Sequence, residues 1–256
     1  MTRIVLAIGG SDPSGGAGVQ ADLETLSDLG VRGISAITAI TSQDEESLLS
    51  IHPTPGDVLT QQISTACKGE EIAAVKVGMV ATKANARAIQ WFLKRPEVRN
   101  VVIDPVLHSS SGTPLLEPGA FNFYRQQLLP LATVVTPNLA EASALAGMQV
   151  AGLDTMSTAA EAIHKELSRL RDGIGGPMAV IVKGGHLEGD AVDVLFDGEK
   201  FHSFPAPRIE GAHPRGTGCR FASAIAANLA KGEGVVTAVS RAKDYLAWYI
   251  AKAGGK

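Results

Sequence analysis

Cysteine is scarce in this chain: there are two among 256 residues, Cys67 and Cys219, far apart and without a metal-ligand spacing. That excludes a disulfide framework and a cysteine-built zinc site, and it suits a reducing compartment. Positive charge is not in surplus either. Lys plus Arg total 23 against 26 Asp plus Glu, a formal net charge of −3, so nothing draws the whole protein to nucleic acid or to an anionic membrane, and any phosphate recognition has to be local. No segment supplies the roughly 20 consecutive apolar residues of a membrane-spanning helix. The opening MTRIVLAIGGSDPS is an apolar run of strand length closed by turn residues rather than a cleavage site, so no secretory leader is expected. Internal repeats, low-complexity tracts and linkers are missing as well, and residues 1–256 read as one domain in a cytoplasmic protein.

What is present is an alternation. Short apolar, β-branched runs recur at Ile4–Ile8, Ile34–Ile40, Ala73–Val77, Val101–Ile103, Thr133–Thr136 and Val180–Val182, the pattern of strands buried on both faces. Between them lie stretches with helical spacing: Val19–Leu29, Pro55–Ala66, Asn85–Leu93, Phe121–Leu129, Leu139–Ala146 and Thr158–Leu170. AVDVLFDGEKFHSF predicts a hairpin turning at Asp197 and Gly198, and two helices, Gly218–Ala230 and Val235–Ala251, close the chain. Such alternation predicts an α/β fold with a central, mostly parallel sheet covered by helices. In such sheets ligands gather at the carboxyl ends of the strands.

Several loops fall at those ends. GGSDPSGGAGVQAD, residues 9–22, is glycine-rich, yet it lacks the lysine of a P-loop and the spacing of a dinucleotide fingerprint. It is either a tight strand-to-helix turn or a backbone that approaches a small ligand closely, with Asp22 one helical turn inside. TAITSQ ends at Gln43, whose planar amide matches a heterocycle showing a ring nitrogen beside an amino group, although taken alone it reads first as a solvated loop glutamine. In IDPVLHSSSG, Asp104 follows a buried strand at once, and in NLAE, Asn138 and Glu141 stand at the next strand end. Two carboxylates there would suit Mg²⁺; Asn138 and Glu141 also fit a helix cap. Lys183 in VIVKGGH can lend a point charge to a phosphate or simply end a strand.

RGTGC, residues 215–219, is the most specific stretch. Free N–H groups at a helix start, with glycines that permit close approach, make an anion site reinforced by the helix dipole. Cys219 would feel the same positive field, which lowers a thiol pKa. Against this stands a small cysteine packed under the helix.

GSDPSGGAGVQAD, TAITSQ, VKVGM, DPV, VVTPNLAE, VKGGH and RGTGC occur together in an order that resembles the hydroxymethylpyrimidine and phosphomethylpyrimidine kinases of thiamine synthesis, within the ribokinase-like superfamily. The likeness runs from about Ile4 to the final helix. It implies a three-layer α/β/α sandwich and phosphoryl transfer from Mg-ATP to the hydroxymethyl group of 4-amino-5-hydroxymethyl-2-methylpyrimidine, then to its monophosphate. It places Gly10, Ala17, Asp22, Gln43, Met79 and Val106 around the pyrimidine and Cys219 beside the reacting hydroxyl. Gly216, Thr217 and Gly218 match the anion hole, Lys183 a phosphate contact, and Asp104 with Glu141 the Mg²⁺ and nucleotide region that Asn138 adjoins. It also suggests a homodimer.

The chain departs from the family where THGTGC followed by Thr is usual. Pro214 and Arg215 follow His213, and Arg220 replaces that Thr, so two arginines bracket the anion site and can reach nucleotide or substrate phosphates. Ser110 stands where many members carry lysine. The segment 202–214, with Pro205, Pro207 and Gly211, is the candidate for a mobile cover. Pyridoxal kinase is the nearest rival reading, since it shares fold, metal and anion hole. A Cys-dependent acyl-transfer enzyme would need a base near Cys219, for which His213 is the sequence-local candidate. A sensor that binds without turnover would have no use for Asp104, Glu141 and Cys219 together.

Overall fold

The apolar runs do form strands, and the alternation within each run decides which face every residue buries. A computed structural model describes residues 3–44, 47–109, 111–171, 173–185, 187, 189–208 and 214–254. Nine strands make one sheet: β1 (Ile4–Ser11), β2 (Arg32–Gln43), β3 (Leu48–Pro53), β4 (Ile72–Val77), β5 (Val101–Ile103), β6 (Val134–Val135), β7 (Ala179–Val182), β8 (Asp193–Phe196) and β9 (Phe201–Phe204), in the order β3-β2-β1-β4-β5-β6-β7-β8-β9. From β2 to β7 all pairs are parallel; β3 at one edge and β8 with β9 at the other run antiparallel.

Helices cover both faces. Leu6, Ile8, Val75, Val77, Ile103, Val135 and Val182 point to one side, where they meet α2 (Gly56–Ala66), α3 (Lys83–Leu93), α5 (Leu139–Ala146) and α6 (Leu153–Arg169). Their chain neighbours Val5, Ala74, Val102, Val134 and Ile181 point to the other, against α1 (Gly18–Asp28), α7 (Thr217–Ala230) and α8 (Val235–Gly254). A period of two with both faces buried is what the unbroken apolar runs require. The three-layer α/β/α architecture and the hairpin at Asp197 are as expected.

Two elements differ from expectation. The helix expected over Phe121–Leu129 is broken into the single α-turn α4 (Phe121–Phe123), a π-helical stretch Tyr124–Leu128 and a 3-10 turn Leu129–Leu131. Pro130 has no N–H to donate, and its ring clashes with the carbonyl four residues earlier, so a regular helix cannot be carried through it. Strand β3 was not anticipated, because LLSIHP lies on the sheet edge and keeps most of its residues partly exposed.

No described helix is long and apolar enough to cross a membrane. Residues 209–213 of the expected cover, with His213, Ser110 and His186, lie outside the described residues.

Candidate active site

The parallel strand ends and the first turn of α7 enclose a cavity of about 230 Å³. Gly10, Ala17 and Asp22 line it from the first loop and α1, Gln43 from the end of β2, and Met79 from just after β4. Asp104 and Val106 follow β5, Asn138 and Glu141 stand at the start of α5, Lys183 follows β7, and Arg215 through Cys219 complete the wall. Among the described residues expected at the site, only Arg220 lies elsewhere.

Helix α7 starts from Gly216 in the left-handed region, φ +71°, and no side chain caps its first turn. The Arg220 amide is the one that bonds back to the Gly216 carbonyl. The N–H groups of Thr217, Gly218 and Cys219 are therefore orphan donors at the positive end of a 14-residue helix. Glycine is obligatory at 216 on a second count, since a Cβ there would stand 2.1 Å from the Gly16 carbonyl oxygen. At Gly218 a Cβ would lie 3.1 Å from Lys183 Nζ and 3.7 Å from Asp104 Oδ2, so the lysine ammonium sits directly against the free amides.

Lys183 donates to Asp104 Oδ1 at 2.7 Å, and Thr136 Oγ1 donates to the same oxygen at 2.9 Å. Burial pulls the Lys183 pKa down, but Asp104 and Glu141 outweigh it and hold the pKa above the ordinary lysine value. Asn138 and Glu141 do form the cap: Glu141 N donates to Asn138 Oδ1 and Asn138 N to Glu141 Oε2, each at 2.8 Å. They line the cavity as well, so cap and site are one construction. Burial, together with the neighbouring Asp104 charge and against the pull of Lys183, pushes Glu141 up to about 7. No described group of three or more His, Cys, Asp or Glu side chains is arranged to hold a metal ion. Two carboxylates on one cavity wall instead fit a hard cation that takes its remaining ligands from phosphate oxygens and water.

The acceptor end is built from glycine loops. Gly18, φ +63°, is forced by the Gly10 carbonyl, which a Cβ at 18 would approach to 2.4 Å, and a Cβ at Gly10 would strike Met79 Sδ at 2.8 Å. Asp12 ties the loop together by accepting from Ser14 N, Ser14 Oγ and Ala17 N. Arg215 donates to Gln43 Oε1 at 3.3 Å and to the Asp44 carbonyl, so its contacts fall on the Gln43 side of the cavity rather than beside Lys183.

Two expectations need correction. Arg220 does not face the cavity: it is buried, its guanidinium lies 4.1 Å from the Tyr249 ring centroid, and it donates to Glu24 at 2.7 Å. One residue beyond Cys219 is a rotation of about 100° on the helix, which turns Arg220 toward α1 and α8. Nor is the Cys219 thiol pKa lowered. Burial pushes its pKa up, with the Asp22 and Asp104 carboxylates adding to the rise, and Lys76 and the Gly18 amide do not fully offset them.

Lys76 was missed. Its ammonium grips both Asp22 oxygens, at 2.7 and 2.8 Å, in a pair removed from solvent. A lysine inside the apolar strand run VKV was the available signal.

An uncapped helix start beside a lysine paired with one of two neighbouring carboxylates, and a small-ligand pocket at the strand ends, define a small-molecule kinase on a ribokinase-like three-layer fold. The chain belongs to the phosphomethylpyrimidine kinase family, whose pattern matches residues 12–254. It is 45% identical over 248 residues to a hydroxymethylpyrimidine/phosphomethylpyrimidine kinase of Rhizobium meliloti, covering 96% of this chain and 90% of that protein. Among solved structures, phosphomethylpyrimidine kinase from Clostridium difficile superposes with a TM-score of 0.82 at 35% identity, over 97% of this chain and 100% of that one. An ADP complex of Bacillus subtilis pyridoxal kinase gives 0.84 at 37%, over 96% and 90%.

Proposed function

We propose that the chain transfers the terminal phosphoryl group of ATP to the hydroxymethyl group of 4-amino-5-hydroxymethyl-2-methylpyrimidine and then to the monophosphate so formed, in thiamine biosynthesis. The observation that carries this reading is the set of uncapped amides at Gly216–Cys219 beside Lys183, in the cavity that also holds Gln43 and Met79. Phosphoryl transfer asks a protein mainly to position the groups and to stabilise charge on the moving phosphoryl. Backbone amides do this without net basic charge, which reconciles ATP chemistry with a slightly acidic protein. The alcohol oxygen forms the new P–O bond, the bond to the β,γ-bridging oxygen breaks, and ADP leaves with the electron pair. The alcohol proton passes late in the transfer to the thiolate form of Cys219, which burial and the Asp22 and Asp104 carboxylates make the minor form.

Asp104 and Glu141 are the residues that would hold Mg²⁺, which when bound neutralises charge on the phosphates. Asn138 and Lys183 serve the nucleotide, while Gly10, Ala17, Asp22, Gln43, Met79 and Val106 enclose the acceptor. The one nine-stranded sheet among the described residues supports reading 1–256 as a single catalytic domain, which we place in the cytoplasm. A homodimer is supported by Ile40 and Leu49, exposed on edge strand β3 and the strand β2 beside it.

Pyridoxal phosphorylation is the second reading, favoured by the TM-score of 0.84 to a pyridoxal kinase. ADP release measured with a panel of pyrimidine and pyridine alcohols separates the two. We expect the higher kcat/KM for hydroxymethylpyrimidine, and the reverse order with pyridoxal overturns the assignment.

A further inference from the structure

Beneath the acceptor end of the cavity lies a buried ion pair whose lysine the reaction as described leaves unused. Lys76 and Asp22 are 1% and 0% exposed, and Ser223 Oγ on α7 adds a third bond to Asp22 Oδ1 at 2.8 Å. Space has been kept for the ammonium, since a Cβ at Gly78 would come within 2.8 Å of Lys76 Nζ. Taking both charges out of water is costly, and an apolar pair of the same volume commonly serves a fold as well or better. A pair kept here, with both members on the wall of the cavity that Cys219 also lines, calls for a chemical reason. That reason is the charge balance of the acceptor end, where transfer of the alcohol proton needs an anionic sulfur at Cys219. Four charged groups act there: Asp22 from α1 and Asp104 from the end of β5 oppose a new negative charge, while Lys76 from β4 and Lys183 from the end of β7 favour it. Lys183 is held by Asp104 beside the free amides of α7 and Arg215 reaches to Gln43 and the Asp44 carbonyl, whereas Lys76, paired with Asp22, is the buried cation beneath the acceptor end.

Resting on the kinase reading above, we propose that Lys76 is a positioning residue for phosphoryl transfer: anchored by Asp22 and Ser223, its ammonium compensates the negative charge that develops where Cys219 meets the acceptor hydroxyl. Its influence on the thiol is felt as an opposing pull against burial and the two carboxylates.

The test uses the full chain carrying C67A, so that Cys219 is the single thiol, with K76Q and D22N made separately. K76Q removes the charge while keeping a donor for Asp22, and thermal melting establishes that each variant is folded. Alkylation of Cys219 by iodoacetamide is followed across pH by mass spectrometry. The inflection is expected to move up in K76Q and down in D22N, opposite shifts that shared structural damage does not produce. In steady state, K76Q is expected to lower kcat by about 10²-fold, the scale of one lost electrostatic stabiliser, with KM for ATP little changed. An inflection that stays put in K76Q, or that moves the same way in both variants, overturns the proposal, as does a K76Q loss confined to KM. The alkylation series needs no acceptor, so it stands even where a different alcohol proves to be the substrate.

Discussion

Replacing Gly218 by Ala separates stability from catalysis. The position is helical and carries no strained φ, so an alanine gains up to about 1 kcal/mol of helix propensity. For a chain of this size that corresponds to a rise in Tm of roughly 2–4 °C. The added methyl would stand 3.1 Å from Lys183 Nζ and 3.7 Å from Asp104 Oδ2, which the lysine tip can relieve by moving a few tenths of an ångström. The same methyl projects into the space where the phosphoryl oxygens must approach the free amides. Losing one such donor contact costs about 2.7–4 kcal/mol of transition-state stabilisation, or 10²–10³ in kcat. Coupled ADP release and thermal melting on one preparation read both quantities. The expected outcome is an unchanged or higher Tm with a large fall in kcat. Wild-type turnover in G218A would refute the anion hole, and a matching fall in Tm would mean that the methyl acts by unfolding the site.

Three further outcomes follow from the same structure. Cys219→Ser is expected to retain nucleotide binding, measured by calorimetry, while turnover falls sharply; a covalent acyl intermediate at Cys219 without ADP release would point to thiol chemistry instead. Arg220 has Nε and NH1 buried without hydrogen-bond partners, and besides its contact with the Tyr249 ring it forms an ion pair with the mostly exposed Glu24, so Arg220→Met should leave KM for ATP unchanged with Tm equal or higher, and a raised KM would return Arg220 to the nucleotide site. His164 lies edge-on to Phe196 with ring centroids 5.1 Å apart, and burial lowers its pKa below 6.5 despite the Met178 carbonyl. A depressed folded pKa stabilises the protein above pH 6.5 and ceases to do so as pH falls through the lower folded value. Urea melts from pH 8 to pH 5 should therefore show a steeper loss for the wild type than for His164→Gln, and parallel curves would contradict this.

Where strands are buried on both faces, as in β1, β4, β5 and β7, the apolar runs alone reveal them. Edge strand β3 escapes because half-exposed pairing leaves no such run, and Pro130 breaks a stretch whose spacing otherwise reads as helix. At the site, glycines that need close approach and carboxylates placed just after strands are visible as motifs. Depth is not: nothing in VKVGM says that Lys76 turns under the cavity to meet Asp22, 54 positions earlier. Direction around a helix is equally hidden at a first turn, which is why Arg220 looked like a partner of Gly216–Cys219 and proved to belong to Tyr249. The Cys219 thiol illustrates a third limit, since a helix dipole can be read from sequence whereas the burial and carboxylates that outweigh it come from tertiary packing.

The central claim is that main-chain amides at the start of α7 receive the migrating phosphoryl group. A crystal structure with a non-hydrolysable ATP analogue and the pyrimidine alcohol tests it most directly. Terminal phosphate oxygens within hydrogen-bonding distance of at least two amide nitrogens among residues 216–219, facing the alcohol across Cys219, is the result predicted. A terminal phosphate seated away from that turn, with the amides bonded to solvent, would contradict it.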